Sequence, residues 1–144
     1  MRELEIAIGL IEQDDEYVLQ RRDNRSRIGA AGLIGCFGGQ IKTKPDDTLA
    51  ETPAEAVARE LAEETNLVTA PEQWERLGHV SVTSDRDHET VKIEAEIFRY
   101  RLETGFVMVA SDGQVIRIKQ RAVHEKTPEL ASATKAVFEE LIRS

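Results

Sequence analysis

A single cysteine in 144 residues, Cys36, excludes any disulfide within the chain. Stability must then come from an ordinary core, which a chain of this length can bury without cross-links or structural metal. The lone thiol suits a reducing compartment and reads as a small buried hydrophobe. Positive charge is also scarce. Lys and Arg number 19 against 27 Asp and Glu, for a net charge of -8. That balance argues against a broad basic face, so neither a nucleic acid polymer nor a membrane surface is an expected partner. No apolar run is long enough to span a bilayer. The acidic residues Glu12, Asp14, Asp15 and Glu16 follow a short apolar run, which is not the pattern of a signal peptide. A cytoplasmic protein is expected. Aromatic residues make up only 5 %, so the core must be mainly aliphatic. Trp74, the only indole, reads as packing a core edge, with stacking on a base as the alternative. There is no repeat and no low-complexity tract, and residues 1–144 read as one domain.

The most informative segment is rich in glutamate. Residues 52–65 read as a helix. Thr52 and Glu55 form a capping box, and Pro53 occupies the first helical position, where its missing N–H costs nothing. Ala54, Val57, Ala58, Leu61 and Thr65 form a narrow apolar stripe. Glu60, Glu63 and Glu64 fall together on another flank, at spacings i, i+3 and i+4. Like charges so placed cost roughly 0.2–0.5 kcal/mol per pair. A positive partner removes that cost, and hard divalent cations take such oxygen ligands beside phosphates. A plain solvated acidic face is the competing reading.

The order of residues favours the chemical reading. Glu51, seven residues, and then Arg59-Glu60-Leu61-x-Glu63-Glu64 resembles the Nudix box, G-x5-E-x7-R-E-U-x-E-E-x-G-U, where U is a bulky aliphatic. Two positions depart from it. Asn66 stands for a glycine and is read as ending the helix in the left-handed conformation. Pro45 stands where the box opens with glycine, and the nearest pair, Gly38-Gly39, ends six positions earlier. Residues 42–50 are therefore read as an inserted loop, with Lys42 where the family often has an acid. The N-terminal residues 1–22, ending Gln20-Arg21-Arg22, also resemble the opening hairpin of MutT-type members.

Along the chain, residues 4–11 alternate as a strand and 17–22 as a second, turned at Asp14-Asp15. Residues 23–31 read as a loop and 33–41 as containing a short strand. Residues 77–83 and 90–102 read as strands. In the second, the apolar phase changes after Ile97, which suggests a bulge or burial on both faces. Residues 106–110 and 115–118 flank Asp112-Gly113, a hairpin signal. Residues 128–142 read as a final helix with Thr127 as N-cap and Leu130, Ala133, Val137 and Leu141 inward. The resemblance implies an α/β protein, a Nudix-type α/β/α sandwich around a mixed sheet.

The resemblance also implies a site. Glu60, Glu63 and Glu64 would bind Mg²⁺, or Mn²⁺ in its place, with the Gly38 carbonyl as a further ligand and Gly39 beside the substrate. Arg59 would pair with Glu51, orient the helix and hold Glu60; an ordinary surface pair is the alternative. The general base is Glu60 or a carboxylate outside the box. Asp112 resembles an acidic-Gly-Gln segment of MutT-type proteins, although a simple hairpin turn is the preferred reading. Glu94 and Glu96 are weaker candidates. Arg21 and Arg22 point to opposite faces of a strand, so only one of them is expected to reach phosphates. His88, Lys42 and Lys44 read by default as solvated. The implied reaction is hydrolysis of a nucleoside diphosphate linked to another group, with nucleoside triphosphate pyrophosphatase activity, releasing monophosphate and pyrophosphate, the leading form. ADP-ribose, ADP-sugar or dinucleoside polyphosphate hydrolysis, and a non-catalytic nucleotide-sensing domain, are the alternatives. Both monomer and homodimer remain open.

Overall fold

The computed structural model describes residues 2–21, 32–46, 48–86 and 89–142. Arg22, His88 and the loop at 23–31 lie outside the described residues. Strand β1 (Arg2–Gln13) turns at Asp14, whose φ of 56° is left-handed, into β2 (Glu16–Arg21). Short strands β3 (Ile34–Gly35) and β4 (Phe37–Gln40) follow, then helix α1 (Pro53–Glu64). The long strands β5 (Glu75–Arg86) and β6 (Glu89–Arg101), then β7 (Gln114–Lys119), complete one mixed sheet ordered β3-β2-β1-β6-β5, with β4 beside β1 and β7 beside β2. Strands β1 and β6 are parallel; the other pairings are antiparallel.

Alternation along β1 feeds two cores. Leu4, Ile8 and Leu10 meet Ile93, Val137 and Phe138 on one face. Ala7 and Ile11 meet Val57, Leu61, Trp74 and Phe98 of the other. Helices on both faces of the sheet give an α/β/α sandwich. Gly9 makes the second core possible, because a Cβ there would lie 2.8 Å from the Trp74 ring and 2.9 Å from Val57. Trp74 is buried, stacks near Tyr100 at 5.2 Å and donates from Nε1 to Thr69, which makes it a core residue.

Several expectations need correction. Strand β6 carries no bulge, since it stays in register with β1 from Val91 to Arg101. The apolar phase changes because the strand buries Val91, Ile93, Ala95 and Ile97 in one core, and then Phe98, with Leu102 just past its end, in the other. The irregularity lies in β5, between Arg76 and Gly78. Asp112-Gly113 does not close a hairpin. Strand β7 pairs with β2, and residues 107–111 bind the end of α1 instead. There the Asn66 side chain donates to the Val107 carbonyl and accepts from Val109 N–H, at 2.9 and 2.8 Å. Asn66 therefore does not adopt the left-handed turn, and α1 ends at an extended Thr65 with φ of -142°. The last helix also starts later than its sequence suggests. Residues Gln120–Glu129 wind as 3-10 helix, Leu130 bridges to Ile34, and α2 (Ser132–Ala136) runs on into a π-helical turn at Val137–Leu141. Thr127 is thus not its N-cap. Pro128 lies within the 3-10 stretch, whose end is tied to β3 by Ala131 N–H on the Ile34 carbonyl.

The insert is more ordered than a simple loop. Thr43 bridges Leu49, Lys44 N–H donates to Thr48 at 2.7 Å, and Ala50 N–H to Lys42 at 2.8 Å. Its described residues are exposed and close on one another between β4 and α1.

Candidate active site

Helix α1 places its acidic flank through its own start signal. Thr52 Oγ1 accepts from Glu55 N–H at 3.1 Å, and Glu55 Oε1 accepts from Thr52 N–H at 2.8 Å. A cap of this kind contributes about 1 kcal/mol. Ala56, Val57 and Leu61 are fully buried beneath it. This leaves Glu60 and Glu64 facing the glycines of β4.

Those glycines admit the carboxylates. A Cβ on Gly39 would lie 2.7 Å from Glu60 Cδ. Gly38, at φ +142°, donates its N–H to Glu64 Oε1 at 3.1 Å, and a Cβ there would strike the Ala7 carbonyl. Beside them opens a cleft of about 330 Å³, lined by Ile6, Ile8, Phe37, Gly38, Gly39, Glu60, Glu64 and Thr134 among others. Sequence reasoning identified the glycines and glutamates but missed the apolar wall. The Ile6–Ile8 alternation was the available signal, but it did not reveal which face α2 leaves open. Thr134 carried no signal. It is buried, accepts Cys36 N–H at 2.9 Å and also bonds the thiol. Burial pushes that thiol's pKa up to about 12, so Cys36 is no nucleophile.

Arg59 is the hub of the acidic flank. Its Nε and Nη2 grip Glu51 at 3.0 and 2.6 Å, and Nη2 also reaches the Gln40 carbonyl at 3.1 Å. Nη1 bonds Glu60 at 2.9 Å and Glu63 at 3.1 Å. All five guanidinium N–H groups thus have acceptors. Hydrogen bonding to Glu51 above all, then to Glu63 and Glu60, raises the Arg59 pKa. The same bond from Arg59 holds the Glu51 carboxyl below its ordinary range. Glu51 also accepts Lys42 N–H at 2.9 Å, so one carboxylate ties the base of the insert to the helix.

The three glutamates of the acidic flank divide. Glu60 and Glu64 line the cleft, whereas the Glu63 side chain, 54 % exposed, stands outside it on Arg59. Arg21 is committed to the Gly32 carbonyl at 3.0 Å and to Glu129 at 3.3 Å. Asp112 is exposed and does not line the cleft, but its neighbour Ser111 donates N–H to the Glu64 carbonyl at 2.7 Å. Glu94 and Glu96 lie elsewhere on the sheet. Ala7 pairs with Gly39 on one side and Glu96 on the other, which puts about 10 Å of sheet between those two backbones. Both carboxylates are bonded to His79, and Glu96 to Arg76 as well. Hydrogen bonds from Ser81, then His79 and Lys92, hold Glu94 down to about 2.

The NUDIX domain family matches residues 1–125, a span that contains the glycine pair, the insert and the whole of α1. The chain belongs to the NUDIX family. No curated protein matches it in sequence. Solved structures share the fold at low identity. A MutT protein from Bacillus halodurans is 19 % identical with a TM-score of 0.69, the alignment covering 98 % of this chain and 83 % of that one. A bifunctional NMN adenylyltransferase/ADP ribose pyrophosphatase from Francisella tularensis, solved with AMP and a manganese ion, is 16 % identical with a TM-score of 0.67, covering 97 % and 41 %. An Ap4A hydrolase from C. elegans is 13 % identical with a TM-score of 0.63, covering 94 % and 93 %. The family match makes this chain a NUDIX hydrolase domain, and the solved structures share its fold.

Among the described residues, no three carboxylate, imidazole or thiolate groups converge as a ready metal cage. The donor set of this NUDIX site still suits a hard cation. Two carboxylates meet a bare glycine backbone at the cleft mouth, and the nearest group to the side-chain position of Gly39 is the Glu60 carboxylate. No described helix is long and apolar enough to cross a membrane.

Proposed function

We propose that residues 1–144 form one metal-dependent pyrophosphohydrolase domain whose preferred substrate is a nucleoside triphosphate, cleaved to monophosphate and pyrophosphate. The observation that carries this reading is the seating of Glu60 and Glu64 at the mouth of an apolar cleft of about 330 Å³. The base and sugar enter the cleft against Ile6, Ile8 and Phe37, and the phosphates lie at the glutamates.

Glu60, Glu63 and Glu64, with the Gly38 carbonyl, are the residues that would hold Mg²⁺ or Mn²⁺. When bound, the cation neutralises phosphate charge and acidifies a water. Glu60 accepts the proton of the attacking water, whose oxygen bonds to phosphorus as the bridging P–O bond breaks. The leaving phosphate carries away that electron pair. Catalysis of this kind is mostly positioning and charge neutralisation. Arg59 and Glu51 position: locked together, they fix the Glu60 end of the helix. Gly39 lets the phosphates and the Glu60 carboxylate approach the backbone. Arg21 serves as a strut, bonded to Gly32 and Glu129.

A phosphate-release screen tests the reading, using nucleoside triphosphates, ADP-ribose, ADP-sugars and dinucleoside polyphosphates with Mg²⁺ and Mn²⁺. Fastest turnover of triphosphates is expected, with at least about a hundredfold loss in Glu64→Gln. Preference for ADP-ribose or Ap4A would transfer the substrate assignment to the activity for which those structural neighbours are named. Tight nucleotide binding without turnover would make this a sensing domain. Asp112→Asn locates the base: retained activity keeps it at Glu60.

A further inference from the structure

The two halves of the Arg59 guanidinium do different work. Nε and Nη2 are spent on Glu51 and the Gln40 carbonyl, and the Glu51 contacts are partly buried, with Glu51 12 % and Arg59 21 % exposed. Nη1 faces the other way. Its two hydrogens are spent on Glu60 at 2.9 Å and Glu63 at 3.1 Å, two of the three glutamates of the acidic flank. These two carboxylates would otherwise repel across the helix surface at spacing i, i+3. No lysine or other arginine is bonded to either among the described residues.

We propose that Arg59 Nη1 is a built-in counter-cation that stands in for the divalent metal while the site is empty and is displaced when metal binds. The inference rests on the assignment of Glu60 and Glu63 as metal ligands. Glu51 and Gln40 keep the arginine in place throughout, so only the Nη1 half lets go. An empty site is thereby held compact, at the cost of weaker metal affinity. Nucleotide phosphates then complete the shell and tip the competition. A free metal ion at low concentration leaves the arginine in place.

The test uses Mn²⁺ alone, without nucleotide, on the full chain. Electron paramagnetic resonance measures free Mn²⁺ in titrations of the wild type and Arg59→Gln. The variant is expected to bind at least about tenfold tighter, the scale of removing even one competing charge-assisted hydrogen bond. In the wild type, arginine side-chain NMR with Mg²⁺ should show the Nη1 hydrogens of Arg59 broadening toward solvent exchange while the Nε–H held by Glu51 persists. This second measurement decides the matter if Arg59→Gln fails to fold. Equal or weaker Mn²⁺ affinity in a folded variant, with an undisturbed Nη1 signal on Mg²⁺ addition, overturns the counter-cation while leaving a metalloenzyme. Absence of binding in both proteins, with and without nucleotide, overturns the metal assignment beneath it.

Discussion

Gly39→Ala perturbs the site at a single point. An added Cβ would stand 2.7 Å from Glu60 Cδ and Oε1, where ordinary contact begins at 3.4 Å, a shortfall of about 0.7 Å. The only atoms it meets at that distance are the far end of a flexible side chain, so Glu60 swings away and the fold does not strain. Gly39 is also extended, without the positive φ of Gly38, so alanine suits its backbone. Its stability should change by less than about 1 kcal/mol, and could rise because alanine loses less entropy than glycine on folding. Catalysis should suffer out of proportion. Misplacing a catalytic group by about 1 Å costs on the order of a hundredfold in rate. The assay compares kcat on the best substrate of the screen with Tm from thermal unfolding. A kcat reduced about a hundredfold at nearly constant Tm is expected. Activity within about threefold of wild type would refute the view that the Gly39–Glu60 contact sets the geometry of the site.

The Glu51–Arg59 pair should couple. Glu51→Ala and Arg59→Ala will each impair turnover, and the double variant should cost less than their sum by roughly 1–3 kcal/mol, read from a double-mutant cycle on kcat/KM; strict additivity would reduce them to independent charges. Because Arg59 depresses the Glu51 pKa, the stability from that carboxylate is complete above its unfolded value and fades as pH falls through the folded one, so Glu51→Gln should flatten the acid limb of Tm against pH. His79 has the opposite sign. Glu94, then Glu96, raises its pKa above the ordinary 6.5, so its contribution is complete below that value and lost as pH climbs through the folded one; Tm of His79→Asn should converge with wild type in alkali. Removing six residues from the insert at 42–50 should barely move Tm, since it closes on itself and loop length costs little, while KM rises if the insert borders the phosphates. A protein that fails to fold after this deletion would make the insert part of the core.

Local chemistry carried much of this protein into its sequence. The Thr52–Glu55 cap, Pro53 and the stripe ending at Leu61 are short-range devices, and α1 formed where they placed it. The order Glu51, Arg59, Glu60, Glu63, Glu64 was legible because a helix turns positions in sequence into positions on a surface. The alternation of β1 marked a strand for the same reason. The rest depended on partners distant in the chain. Whether Asp112-Gly113 closed a hairpin was decided by Asn66, which captured residues 107–109, and by β2, which took β7. The apolar phase of β6 could not distinguish a bulge from two cores, because only the helices on either face make that distinction. Asn66 suited a left-handed cap by propensity, but its side chain found two backbone partners in an extended segment. The division among the glutamates was likewise tertiary. Periodicity grouped Glu60, Glu63 and Glu64 on one flank, but the approach of the β4 glycines drew Glu60 and Glu64 to the cleft, and Arg59 kept Glu63 outside it. Residue order thus determined the helix, its charge and its family, since these depend on neighbours within a few turns. The cleft wall, the reach of Arg59 and the role of Glu51 in tying the insert to the helix came only from packing between segments that the sequence holds far apart.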